Sequence, residues 1–124
     1  MKLLDSNIII YSGLEKFSFL RELFYEENVF ISDITILEVL GFSRITPEQE
    51  EYFKDVFSII NRISISNEII TEAIRLRKNF NLSVGDAIIA ATAKVHNLTL
   101  YTNNESDFSG ITFLNIVNPL SYKH

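Results

Sequence analysis

The run "LSVGDAIIAATA", from Leu82 to Ala93, constrains this chain more than any other stretch. It is long enough for a helix, and its apolar residues surround nearly the whole circumference instead of forming one stripe. Such a helix must be covered on most sides. Asp86 is the only charge within it, and a carboxylate taken out of water costs free energy unless something compensates. The nearest cations in sequence are Lys78 and Lys94, several residues away on either side. The compensation therefore has to come from elsewhere in the fold.

The rest of the chain indicates what covers that helix. "KLL" before Asp5, "NVFIS", "RISIS", "LTLYT" and "ITFLNIV" read as five short strands. Helical signals fill the intervals. "SNIIIYSG" is an early turn or helix, and Leu14 to Glu26 carries apolar residues at 14, 17, 20 and 24. Ser32 caps "DITILEVLGF", and Thr46-Pro47-Glu48-Gln49 is a capping box with proline at the first helical position. Ser66 caps a helix from Asn67 to about Phe80, and Ser83 caps the run described above, which ends near His96-Asn97. Strands alternating with helices predict an α/β fold of three layers, α/β/α, around a central parallel sheet of about five strands. No linker or repeat divides the chain, so residues 1–124 are expected to form a single domain.

Composition narrows the chemistry. Apolar residues make up 47% and charged residues 22%, as in a soluble globular chain. Asp5 interrupts the N-terminal apolar stretch before it reaches signal-peptide length, and no run could span a bilayer, so a cytoplasmic location with no membrane partner is expected. The absence of cysteine excludes disulfides and thiolate zinc sites. With only His96 and His124, a histidine-rich metal centre is not expected. His96 lies near a helix C-terminus, where the dipole is reason enough for it.

The acids fall in a pattern. Asp5 ends the first strand, Asp86 opens the buried helix, Asn104 and Asp107 follow the fourth strand, and Glu38 lies inside an apolar helix after the second. In an open parallel sheet the regions of Asp5, of Asp86 and of Asn104 with Asp107 belong at the carboxyl edge, where sites form, and Glu38 can reach it if its helix follows the second strand. Each also has a structural reading. Asp5 and Asp107 fit caps or turns, Asp86 fits the third position of a capped helix, and Glu38 fits a solvated stripe. Taken together, and with no cation close in sequence, a shared divalent metal is an economical partner. An all-oxygen ligand set suits Mg²⁺ or Mn²⁺. Such a site can activate water and stabilise an in-line phosphoryl displacement. Ser83 and Thr102 are placed to orient the carboxylates from behind.

The chain resembles the PIN domain family, and within it the VapC-type toxin ribonucleases. The pieces that match are "LLDSNIIIY", "SDITILEVL" with Ser32, Thr35 and Glu38, "LSVGDAIIAATAKVHNLTLYTNNESDF", and the closing "NP". The resemblance implies a PIN-like fold and Mg²⁺- or Mn²⁺-dependent cleavage of RNA. It implies core acids at Asp5, Glu38 and Asp86, with a fourth position at Asn104 or Asp107. It also implies a homodimer and inhibition by a VapB-type antitoxin. Asn103 stands where the family often has a basic residue. The net charge of −5 is unusual for a protein that binds RNA, but four of those charges belong to the candidate acids. Arg75, Arg77 and Lys78, just before the "SVGD" helix, are the candidate RNA contacts, with a solvated helix face as the plain alternative. Phe17, Phe24 and Phe53 are candidates for an interface, although most of the ten phenylalanines are expected in the core. A catalytically silent PIN-like module that binds RNA or protein is the alternative function. A dehalogenase-type phosphatase is disfavoured, because Asn7 stands where that site needs a second aspartate.

Overall fold

The computed structural model describes residues 1–121; His124 lies outside the described residues. Its centre is β1 (Lys2–Leu4), which pairs in parallel with β2 (Val29–Ser32) on one side and with β4 (Thr99–Tyr101) on the other. β3 (Asn61–Ile63) extends the sheet beyond β2, and β5 (Ile116–Val117) extends it beyond β4. The order is β3-β2-β1-β4-β5, with every pairing parallel. Successive strand residues face opposite sides of a sheet. Leu3 accordingly enters one core and Leu4 the other.

Five α-helices cover the two faces. α4 (Asn67–Asn79) and α5 (Val84–His96) pack over the Leu3 side with Leu98, Leu100, Phe108 and Ile111. α1 (Ser6–Ser12) and α3 (Pro47–Ile59) pack over the Leu4 side with Val29, Ile31, Leu20 and Phe24. α2 (Asp33–Leu40) follows β2 and contributes Val39 to the second core while Ile34 leans on the first. The helix starts are local: Ser32, Thr46, Ser66 and Ser83 all accept backbone N–H groups of the first turn, and Thr46 and Gln49 close the capping box. The expected all-round burial of α5 is observed, with seven consecutive buried residues from Ala87 to Ala93.

The structure corrects three expectations. Residues 14–26 do not form a regular α-helix; Glu15–Tyr25 is a 3₁₀ segment kinked at Phe17, whose φ of −113° is not helical. The fifth strand is only Ile116–Val117, because hydrogen-bonded turns run through Ile111 and Leu114 before the chain comes alongside β4. Phe24 and Phe53 are 3% and 7% exposed, so they belong to the core rather than to an interface, and Phe17 packs against the same core. No helix among the described residues is long and apolar enough to cross a membrane.

The strand order fixes where a site can form. From β1 the chain first moves outward through β2 and β3, then returns to the opposite side of β1 with β4 and β5. The direction of winding therefore reverses between β1 and β4, and a crevice opens there beyond the carboxyl ends of the strands.

Candidate active site

Asp5 leaves β1 at that crevice. It is the N-cap of α1, with one carboxylate oxygen accepting the Ser6 N–H at 2.8 Å. The other oxygen accepts the Thr102 hydroxyl at 2.8 Å and the Asn7 side-chain amide at 3.2 Å. Thr102 follows β4, so the contact joins the two central strands at their carboxyl ends. Asp5 is only 4% exposed. Burial pushes its pKa above the ordinary aspartate value, the three donors pull it back, and the negative charge of Asp107 adds to the rise.

Glu38 and Asp86 arrive from α2 and α5. Partial burial raises the pKa of each, and the charges add to it: Asp5 and Asp86 act on Glu38, and Asp5 and Asp107 act on Asp86. Ser6 and Ser83 oppose these shifts through hydrogen bonds to Glu38 and Asp86 respectively. The Ser83 hydroxyl oxygen also accepts the Asp86 N–H at 3.1 Å, which fixes the first turn of α5. No described lysine or arginine forms an ion pair with any of these acids. The fold thus brings Asp5, Glu38, Asp86 and Asp107 within electrostatic reach of one another. Among the described residues, however, no three His, Asp or Glu side chains form a ready metal-ligand group. Carboxylates that repel one another have no reason to close further without a cation between them.

The loop after β4 carries the fourth position. The Asn104 N–H donates to the Thr102 hydroxyl at 3.0 Å, and the Asn104 carbonyl accepts the Asp107 N–H at 3.1 Å. Both side chains are exposed on the 3₁₀ turn Glu105–Phe108 and its cap.

Two asparagines that sequence reasoning did not assign to the site hold this loop. Asn7 donates to Asp5, approaches the Thr102 hydroxyl at 3.2 Å and accepts the Asn103 N–H at 3.0 Å. Asn118, after β5, donates to Asn103 at 3.2 Å and to Glu105 at 2.8 Å. The only local signal for Asn7 was an amide two residues after an aspartate at a strand end.

The basic candidates lie apart from this network. Arg75 forms an i,i+3 ion pair with Glu72, which also binds Lys94 at 2.6 Å. Arg77 donates to the Leu82 carbonyl at 3.2 Å, bracing the turn into α5. Lys78 forms no ion pair with a described residue. A cavity of about 590 Å³ opens elsewhere, between α1, α2 and α3, lined by Ile10, Leu14, Val39, Phe42, Tyr52 and Phe53 among others. It is mainly apolar and contains none of the clustered acids.

A five-stranded parallel α/β/α sandwich with carboxylates gathered at its winding reversal defines a class of acid-site domains. This chain belongs to the PIN domain family, whose model matches residues 2–114. It is similar to Ribonuclease VapC2 of Methanocaldococcus jannaschii, with 28% identity over 134 aligned positions covering 91% of this chain and 90% of that protein. Among solved structures, it is similar to a chain of a toxin-antitoxin complex from Klebsiella pneumoniae, with 35% identity, a TM-score of 0.79 and full coverage of both chains. It is also similar to a chain of VapBC2 from Rickettsia felis bound to a promoter DNA fragment, with 27% identity and a TM-score of 0.77, covering 94% of this chain and 97% of that one.

Proposed function

We propose that this protein is a VapC-type endoribonuclease that hydrolyses RNA phosphodiester bonds with Mg²⁺ or Mn²⁺, and that a VapB-type antitoxin holds it inactive. One observation carries the reading: Asp5, Glu38 and Asp86, distant in sequence, lie within electrostatic reach of one another at the strand-order reversal, with raised pKa values and no ion-pair partner among the described residues. The donor set is all oxygen and fits a hard divalent cation. Asp5, Glu38 and Asp86 would hold it, with Asn104 or Asp107 assisting. A cation bound there would supply Lewis-acid activation of water and of the scissile phosphate.

The protein's own residues do the positioning. Thr102, Asn7 and the Ser6 N–H fix the Asp5 carboxylate, so little ordering remains when a ligand arrives. Ser83 sets the first turn of α5 and with it the direction of Asp86. Neither step needs a side-chain nucleophile. Lys78 is available to meet RNA phosphate, whereas Arg75 is already engaged by Glu72. Support for the antitoxin comes from the toxin-antitoxin relatives and from exposed Ile10, Leu14 and Phe42 at the apolar cavity, a surface that a partner helix would cover.

Incubation with end-labelled RNA tests the reading. Cleavage should require Mg²⁺ or Mn²⁺ and stop with a chelator. It should also decline on acidification from a pH above the ordinary carboxylate range, because the raised acids protonate early. Cleavage that persists in chelator, or an absence of cleavage at any metal concentration, would overturn it.

A further inference from the structure

Glu38 comes to the acids from a different helix than Asp86, and the position opposite it on α5 is a glycine. A Cβ placed on Gly85 would lie 2.8 Å from the Glu38 Oε2 oxygen and 3.5 Å from its carboxyl carbon. The carboxylate therefore occupies the space that any side chain at position 85 would fill. Gly85 is the second residue of α5, directly before Asp86 and two residues after the capping Ser83. Its backbone is not in the left-handed region, so conformation does not explain why the position is empty of a side chain.

We infer that Gly85 is a positioning residue: the absence of a side chain there creates the seat that lets the Glu38 carboxylate stand beside Asp86 and join it in binding the cation. This rests on the metal-nuclease reading above and names a further determinant of the same site. The close atoms belong to the far end of a flexible side chain rather than to backbone. An added methyl therefore displaces the carboxylate and leaves the helix in place. Alanine is also a better helix former than glycine, so the fold gains nothing from glycine at this position.

A double-mutant cycle on Mn²⁺ binding, read by electron paramagnetic resonance on metal-stripped protein, tests the seat. Gly85→Ala should weaken Mn²⁺ binding about tenfold while the metal-free Tm stays level or rises. In the Glu38→Asp background, where the carboxylate is one methylene shorter and no longer reaches the seat, the same Gly85→Ala change should alter binding less than about twofold. Equal losses in both backgrounds, or full binding by Gly85→Ala alone, would overturn the inference and leave the metal reading standing. If the unaltered protein fails to bind Mn²⁺, the metal reading falls and the inference with it.

Discussion

Two groups of acids in this molecule behave in opposite ways. On the outer side of α4 and α5, Glu72 receives Arg75 and Lys94, and those hydrogen bonds and charges hold its carboxyl down at about 2. At the sheet edge, burial pushes Asp5, Glu38 and Asp86 up, neighbouring carboxylates add to the rise, and the hydrogen-bond donors only partly oppose it. The first group ties two helices together and stabilises the fold. The second opposes folding when ionised, because burial and the neighbouring negative charges outweigh its hydrogen-bond donors. Acids with raised pKa values and no ion-pair partner among the described residues are what a functional site leaves in a fold, whereas Glu72 is paired for stability.

The sharpest way to break this contrast is Asp86→Asn. RNA cleavage should fall by more than about 100-fold, since a ligand is replaced by a weaker, neutral one. Metal-free stability should move the other way. A carboxylate whose folded pKa lies above its unfolded value binds more protons when folded, so stability declines as pH rises through the folded pKa. At pH 7 the ionised cluster opposes folding, and the amide should raise the metal-free Tm by about 2 °C in a thermal melt. A clear fall in Tm would show that Asp86 is a structural acid like Glu72.

Thr102→Val comes next in size. It removes the buried hydroxyl that donates to Asp5 and accepts the Asn104 N–H. Mn²⁺ affinity should drop about 10- to 100-fold in a titration of the folded variant. Unchanged affinity would detach this residue from the site.

The smallest effect belongs to Glu72→Gln. Cleavage should be unaltered, and the Tm at pH 7 should fall by about 1–4 °C, the range for partly exposed ion pairs. Because the folded pKa is depressed, this contribution is present above the ordinary glutamate range and is lost as pH falls towards about 2. Melts of the two proteins should therefore converge across that interval. A loss of cleavage in this variant would erase the distinction between the two groups.

Legibility in the sequence followed the reach of the forces involved. Ser32, Thr46, Ser66 and Ser83 were readable as helix starts because a cap acts over two or three residues. The burial of α5 was readable because its apolar residues leave no polar face. Asp5, Glu38 and Asp86 stood out as charges in apolar or strand-end settings. Asn7 did not, because its partners Thr102 and Asn103 are 95 and 96 residues away in the chain. Gly85 did not, because its meaning depends on a side chain from α2. The segment from Glu15 to Tyr25 has the spacing of an α-helix, yet tertiary packing kinks it at Phe17 into 3₁₀ turns. Phe24 and Phe53 looked numerous enough to spare for an interface until the second core was seen to absorb them. The late start of the fifth strand comes from successive i,i+3 turns, Ile111 to Phe108 and Leu114 to Ile111, which the apolar run "ITFLNIV" masked.

The placement of β1 also sets a timetable. The earliest strand of this sequence is the middle of the finished sheet, and the residue that steadies its terminal aspartate lies 97 positions further along. Until β4 and α5 are in place, Asp5 lacks Thr102 and Asp86 has no helix to ride on. On the reading proposed above, the acid cluster is therefore complete only when both halves of the sheet have been assembled.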